Sequence, residues 1–559
     1  MLSEDYKCWL FAALALASIT GASCSLVSQG TTQMVHSWAS ITPSNSIEWT
    51  PCFTNFTCAK LQVPLDYGDP SRGQTAIAWM KYSAPNATED MPNVVVNPGG
   101  PGGSGVQAIA AYGPALSQVL LSQYNIVGFD PRGVGESGPV VDCWPNEVAK
   151  RAQFEKLFYP ETSNASSTSL DTQYYAADIF GKACTDTVGG SNGSAAFIST
   201  PAVAHDMFTY ITAEQAASNK PKNKAKLYYY GVSYGTALGA TFAHLYPDHV
   251  GRMILDGVID AADYYALGWK TNLYDTDAVL DSFCKTCYLG GPKNCSFWGP
   301  SVQNINNRMN KILANLKYHP IPVSTSEACN IPIMATYSGL KEFALMSTYT
   351  PHIQFPQLAD TLAELERGNV SAYMRGVTSG SLPANPCNNG SVSTTEDVNT
   401  LIKCVDGYAG HHFQDISHFR DYYSLLTSQS TFFGEVWPNN ANGVSCRSFR
   451  VNPPKSGRLH AGQESILEKR KTSFPILFVT AELDPVAPKP GAYLMSSAFP
   501  GSVVLTQNSS GHTALASASK CLLEKVQTYF IKGELPVANT TCQEDVLPFQ
   551  GQTVFSLVN

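Results

Sequence analysis

Three polar residues far apart in the chain are of the types that together make a hydroxyl nucleophilic: Ser233, Asp484 and His512. A serine hydroxyl is a poor nucleophile at neutral pH, so a base must take its proton and an acid must orient that base. Ser233 lies in Gly231-Val-Ser233-Tyr-Gly235, after the run Lys226-Leu-Tyr-Tyr-Tyr and before an alanine-rich stretch. G-x-S-x-G between strand and helix is a turn so tight that side chains at the two glycines would strike backbone, and it lifts the serine hydroxyl clear of a sheet. Asp484 follows the apolar run 474–480, in Ala-Glu-Leu-Asp484-Pro-Val, which places it at the C-terminal end of a strand, where α/β sites assemble. His512 comes 28 residues later, in a turn between the next strand and a final helix. Taken singly, Asp484 also reads as a turn-forming D-P step with Glu482 as the rival acid, and His512 as a surface histidine. The order serine, acid, histidine across one strand-helix-strand unit joins them.

A fourth element is the loop Asn97-Pro-Gly99-Gly100-Pro-Gly102-Gly103-Ser-Gly105, directly after the run Asn93-Val-Val-Val. Gly100, Gly102 and Gly105 fit G-x-G-x-x-G, and Asp130 ends the next strand, the arrangement of a dinucleotide-binding oxidoreductase. Two prolines in the loop and the complete serine, acid and histidine set favour another use. Exposed backbone N–H groups of the loop, with the N–H of Tyr234, form an oxyanion hole for a tetrahedral intermediate.

The elements that must position these residues follow from hydrophobic patterning. Short β-branched or aromatic runs at 76–82, 93–96, 125–129, 226–230 and 252–255 read as buried strands, and 106–121, 200–217 and 236–245 as helices between them. The alternation predicts a mostly parallel sheet covered by helices. It lapses from 266 to 471, where helical segments such as 301–316 and 357–367 are broken by a Gly, Ser, Pro and Asn-rich stretch at 379–393. Strands return at 474–480 and 502–506, followed by a helix near 514–530. The reading is one sheet built from 45–265 and 472–559, with an inserted, mainly helical lid at 266–471 that caps it. The Ser, Thr and Asn-rich piece 162–172 is expected to be a surface loop.

The chain has 559 residues, 44% of them hydrophobic, which is ample apolar surface for a core and argues against global disorder. Its 36 basic and 44 acidic residues are scattered, which argues against nucleic acid as a partner. Residues 8–19 form an apolar run followed by Gly21, Ala22 and Ser23, a pattern expected of a signal peptide spanning 1–24 and too short for stable membrane insertion. Glu4 and Asp5 offset Lys7 in the segment before it. Nine N-x-[ST] sequons, at Asn55, Asn86, Asn164, Asn192, Asn294, Asn369, Asn389, Asn508 and Asn539, agree with a secreted or secretory-pathway glycoprotein. So do the 15 cysteines. Cys52 with Cys58 and Cys521 with Cys542 are expected disulfides, and Cys143 and Cys184 are further candidates. The C-K-T-C step at Cys284 and Cys287, with Cys295 and Cys329 close behind, reads as structural disulfides rather than a redox or zinc motif. His411, His412 and His418 read as surface-loop residues, and no cofactor or metal is called for.

Beyond these residues the sequence resembles the α/β-hydrolase peptidases that include prolyl iminopeptidases and, more closely, the secreted tripeptidyl aminopeptidases. The carrying segments are Val63-Pro-Leu-Asp66-Tyr, the N-P-G-G-P-G loop, Tyr124-Asn-Ile-Val-Gly-Phe-Asp-Pro-Arg-Gly-Val-Gly135, Met253-Ile-Leu-Asp-Gly-Val258, and a C-terminal run with Gly511-His-Thr, Cys521, Leu535-Pro536 and Cys542. The resemblance implies an α/β-hydrolase fold, with Ser233 as nucleophile, Asp484 as acid, His512 as base, and Gly100 with Tyr234 as oxyanion donors. It gives Asp130 and Arg132 a role in holding loops. Pro98 stands where prolyl iminopeptidases have histidine, which favours the tripeptidyl branch. The implied function is a serine exopeptidase releasing short N-terminal units, with a short peptide or small acyl substrate. The lid would bind the substrate amine, with Asp260, Asp263, Glu364 and Glu366 as conceivable carboxylates. An esterase or lactonase acting on a small hydrophobic metabolite is the alternative, and a binding protein on a hydrolase scaffold is disfavoured by the intact serine, acid and histidine.

Overall fold

The computed structural model describes residues 34–88, 90–158, 161–323, 333–378, 395–410, 413–439, 443–459, 463–517 and 519–550. The expected signal peptide, the stretch 379–393 with Asn389, and Cys329, His411 and His412 lie outside the described residues.

A ten-stranded sheet runs in the order β1-β2-β3-β5-β4-β6-β7-β10-β11-β12. Its strands are β1 (Thr50–Cys52), β2 (Phe56–Pro64), β3 (Gln74–Tyr82), β4 (Val94–Asn97), β5 (Ile126–Phe129), β6 (Leu227–Val232), β7 (Val250–Asp256), β10 (Leu477–Leu483), β11 (Val503–Ser510) and β12 (Thr541–Gln543). The first three pair antiparallel with one another and onto β5, and all strands from β5 to β12 pair in parallel. The central strands β4 and β5 are buried at every position, as expected of parallel strands covered on both faces. This is the mostly parallel, helix-covered sheet that the strand-helix alternation predicts, in the α/β-hydrolase arrangement that the resemblance implies.

Helices α1 (Gly105–Val119), α2 (Val148–Phe158), α3 (Ser169–Val188), α4 (Thr200–Ala217) and α5 (Tyr234–Leu245) connect the strands of the first part. Between β7 and β10 the described residues hold α6 (Ala261–Tyr265), α7 (Thr276–Asn294), α8 (Val302–Tyr318), α9 (Tyr337–Ser347), α10 (Pro351–Glu366), α11 (Ser371–Thr378), α12 (Thr395–Asp406), α13 (Ile416–Gln429) and α14 (Gly443–Cys446). They also hold a small hairpin, β8 (Ile321–Val323) and β9 (Ile333–Ala335). Helices α15 (Lys489–Ser497) and α16 (Lys520–Lys532) return to the sheet. No helix among the described residues is long and apolar enough to cross a membrane.

Two expectations need correction. The segment 162–172 is a surface loop only in part: Ser166, Ser167 and Thr168 are exposed, but Thr162, Ser163 and Ser169 are buried and α3 starts within it. Two of its groups are paired inward, Thr162 N donating to Ser338 Oγ at 2.9 Å and Ser163 Oγ to the Gln173 side chain at 2.9 Å. The helix expected at 514–530 begins at Lys520 instead, after a single 3-10 turn at Ala514–Ala516. Thr513 has φ 75, and Ala514 N donates to Asp256 Oδ1 at 2.8 Å, so the chain is committed to the site before the helix can start.

Cys52–Cys58, Cys143–Cys184 and Cys521–Cys542 are bonded, as are Cys287–Cys295 and Cys404–Cys446. Cys287 of the C-K-T-C step therefore pairs downstream, and Cys284 is a buried free thiol. Of the described sequon asparagines, Asn164 is half-buried and the other seven are exposed.

The sheet and α1 meet through glycine. A Cβ on Gly105 would lie 2.2 Å from Phe129 O, and one on Gly128 would lie 2.2 Å from Gly105 O. Both obstacles are backbone and cannot rotate away. Because α1 follows the glycine-rich loop, its seating also sets that loop. Gly128→Ala is expected to cost about 3 kcal/mol of stability or more by overpacking, read as a lowered urea midpoint.

Candidate active site

The residues singled out by their chemistry come together along one edge of the sheet. The parallel strands β4, β6, β10 and β11 point the same way, so the loops at their C-terminal ends gather the glycine loop, Ser233, Asp484 and His512. Asp484 is wholly buried and accepts four hydrogen bonds. Val486 N and Ala487 N donate to Oδ1 at 3.0 and 2.8 Å, Thr513 N donates to Oδ2 at 2.9 Å, and His512 Nδ1 lies 2.9 and 3.0 Å from the two oxygens. An ionised carboxylate only accepts, so Nδ1 carries the imidazole proton and Nε2 presents a lone pair. That Nε2 is buried and has no partner among the described residues. The rival acid Glu482 is turned away, its Oε1 taking Lys489 Nζ at 2.5 Å.

Ser233 is half-buried at the junction of β6 and α5, with φ 57 and ψ −124. A non-glycine residue in such a region carries strain of order 1–3 kcal/mol and is held there by its surroundings. Its N–H donates to Asp256 O at 3.0 Å. Gly257, the next residue, sits at φ +67, and a Cβ there would come 3.3 Å from His512 Cε1. The end of β7 thus touches both the serine turn and the histidine ring.

The glycine loop lies against the serine turn. A Cβ on Gly99 would be 2.9 Å from Ser233 Cβ and 3.3 Å from Tyr234 N. Gly99 and Gly100 have φ of +96 and +113, and Asn97 Oδ1 accepts Gly99 N at 3.0 Å. Tyr234 opens α5, so its N–H has no acceptor within the helix. Asp130 accepts Ser104 Oγ, Val106 N and Glu136 N, which fixes the turns at both its flanks. Arg132 is wholly buried, forks onto Asp206 at 2.7 and 2.8 Å and also holds the carbonyls of Pro64, Leu65 and Phe197. Both bind loops together.

The segment between β7 and β10 reaches this edge at several points. Tyr349 O accepts His512 N at 2.9 Å, and the Tyr349 ring stands edge-on to the imidazole at 5.0 Å. Asn399 Nδ2 donates to Pro101 O in the glycine loop at 2.7 Å, and Thr276 Oγ1 donates to Pro485 O beside Asp484 at 2.6 Å. The four conceivable amine-binding carboxylates are otherwise engaged. Asp260 caps α6, Asp263 accepts Lys270 N, Glu364 accepts Ala372 N, and Glu366 forks with Arg308.

Sequence reasoning missed three carboxylates near the site. Asp256 accepts Ala514 N and, at 3.0 Å, the Tyr230 hydroxyl, and its pKa is pushed up to about 6 by burial. Asp275 is raised to about 6 by burial and then by the charge of Asp484. Asp406, at the end of α12, is raised to about 7 by burial. An aspartate closing an apolar run, as in Met253-Ile-Leu-Asp256, is the one signal that could have found the first. Asp130 is likewise raised to about 6 by burial. Each of these groups holds a proton more tightly folded than unfolded, where the pKa is near 3.9. Their contribution to stability is full below that value and is lost as pH rises through 6 to 7. The thermal midpoint is therefore expected to fall by several degrees between pH 5 and pH 8, and Asp406→Asn to flatten that slope, as calorimetry at the two pH values would show.

Comparison with known proteins agrees with the fold. Residues 92–283 match a family model described as the alpha/beta hydrolase fold, and 430–542 match one described as TAP-like protein. The chain is 25% identical over 574 residues to serine protease Hip1 of Mycobacterium tuberculosis, covering 95% of this chain and 97% of that one. It is 25% identical over 520 residues to tripeptidyl aminopeptidase of Streptomyces lividans, covering 90% and 87%. It is also 25% identical over 503 residues to carboxylesterase B of M. tuberculosis, covering 87% and 86%. The fold, the serine turn and both family models agree on a serine hydrolase with the α/β-hydrolase fold, similar in its C-terminal part to the TAP-like proteins.

Proposed function

We propose that the protein is a secreted serine exopeptidase that removes short N-terminal units from peptides. The observation that carries the reading is the buried Asp484–His512 pair, its Nε2 unpartnered, on the same sheet edge as the strained turn at Ser233. Ser233 Oγ attacks the substrate carbonyl carbon while His512 Nε2 takes its proton, and Asp484 steadies the imidazolium. The oxyanion formed on the carbonyl oxygen accepts the N–H groups of Tyr234 and Gly100. Collapse returns the proton from His512 to the leaving amine and leaves an acyl ester on Ser233. Water, deprotonated by His512, then attacks that ester and frees the short acyl fragment.

Peptide substrates are supported by the relatives named serine protease and tripeptidyl aminopeptidase, and the relative named carboxylesterase keeps an esterase as the second reading. Export is supported by five disulfides among the described residues, since disulfides persist in oxidising compartments, and by the exposed sequon asparagines. The residues 266–471 act in this reading as a lid that admits short chains and excludes folded proteins.

Two outcomes are expected. Asp484→Asn lowers kcat by roughly 10⁴-fold while Glu482→Gln stays within about tenfold of the parent, measured by steady-state kinetics. The reverse ranking would reassign the acid. In a matched series, free-amine tripeptide substrates turn over and their N-acetylated forms lose about 100-fold or more in kcat/KM, because an amine-binding site is left unpaired. Equal rates would reject the aminopeptidase reading, and activity confined to acyl esters would favour the esterase.

A further inference from the structure

A buried hydrogen-bonded cluster lies behind the serine turn and takes in Tyr234, the residue after Ser233. Asp406 ends α12, in the segment between β7 and β10, and is buried. Its Oδ1 accepts the N–H of Thr200 at 2.7 Å, and its Oδ2 accepts Thr200 Oγ1 at 2.5 Å and the Tyr264 hydroxyl at 2.7 Å. Thr200 Oγ1 in turn lies 2.5 Å from the hydroxyl of Tyr234. Thr200, Tyr234 and Tyr264 are each at most 2% exposed.

The protons can be assigned. Above pH 7, where Asp406 is ionised, it has none to give, so the single hydroxyl proton of Thr200 goes to it, and Thr200 must accept from Tyr234. The chain of donors therefore runs from Tyr234 through Thr200 to Asp406. The other end of Tyr234 is the backbone N–H at the first position of α5. Tyr229 braces the same turn from beneath, its hydroxyl donating to Gly235 O at 2.8 Å.

Burial of a carboxylate is seldom a net gain in stability, since apolar residues of similar volume serve as well or better. A carboxylate retained there points to a use elsewhere, and of the two tyrosines joined to it, Tyr264 directly and Tyr234 through Thr200, one is the residue after the nucleophile. We propose that Asp406 is a positioning residue: acting through Thr200, it holds Tyr234 so that its backbone N–H faces the developing oxyanion, which makes the oxyanion hole dependent on the inserted segment. The proposal rests on the reading of Ser233 and Tyr234 given above.

The test compares Ser233→Ala, Tyr234→Phe, Asp406→Asn and the double variant Tyr234→Phe/Asp406→Asn on a free-amine chromogenic tripeptide. Tyr234→Phe deletes one oxygen and leaves the ring in place, so it remains informative should Asp406→Asn fold poorly. Tyr234→Phe is expected to lower kcat about tenfold with KM within about twofold, and to slow phosphonylation of Ser233 by a fluorophosphonate in parallel. The double variant is expected to lose no more than the worse single one, because both break the same chain. Parent kcat in Tyr234→Phe would overturn the proposal, as would losses that multiply independently, or a lower thermal midpoint with unchanged kcat in Asp406→Asn, the mark of a mere helix cap. Full activity in Ser233→Ala would instead remove the reading beneath it.

Discussion

Ser233 holds a backbone conformation that an L-residue avoids, φ 57 with ψ −124, and the glycines around it leave the room for that conformation. A Cβ on Gly231 would lie 2.4 Å from Gly235 O, one on Gly235 would lie 2.8 Å from Asn97 O, and one on Gly99 would lie 2.6 Å from Val232 O. The strand end, the helix start and the glycine loop therefore approach closer than side chains allow. Strain of this kind persists only where neighbours over-determine it. Here they do so through the Ser233 N–H on Asp256 O, the Tyr229 hydroxyl on Gly235 O and the Asn97 side chain on Gly99 N. The remaining chemistry is arranged around this fixed point.

The inserted segment contributes to that arrangement more than a roof would. It meets the histidine loop through Tyr349, the acid loop through Thr276 and the glycine loop through Asn399. Pro351 closes over Gly511, where a Cβ would lie 2.8 Å from its ring. Helix α12 carries both Asn399 and Asp406, and it is anchored in turn by the Arg151–Asp397 ion pair at 2.6 Å and the Cys404–Cys446 bond. A segment tied in this way can alter the rate of the reaction as well as the choice of substrate.

The parts legible in the sequence are those whose signal is local. Ser233 stood out because two glycines flank it at fixed spacing, and the parallel strands because runs such as Val94–Asn97 are apolar throughout. The antiparallel β1 and β2 are less legible, since β1 has only three residues and Thr57, Lys60 and Gln62 interrupt the apolar run of β2. Asp256, Asp275 and Asp406 were missed or left unassigned for a different reason: a carboxylate declares a buried role only through partners hundreds of residues away, as Asp406 does through Thr200. The segment 162–172 departs in part from a surface loop for the same cause, Thr162 and Ser163 being paired inward rather than hydrated. Cys404 and Cys446, 42 residues apart, carried no local pairing signal either.

The pairing of β7 with β10 joins Ile254 to Leu477, so this seam of the sheet closes across more than two hundred intervening residues. Such a closure is entropically costly until the intervening chain has compacted, which places it late among folding events. The nucleophile's turn belongs to the earlier half of the sheet, whereas the acid and the base arrive with β10 and β11. Ser233 therefore meets Asp484 and His512 only once this seam has closed and the whole sheet is formed.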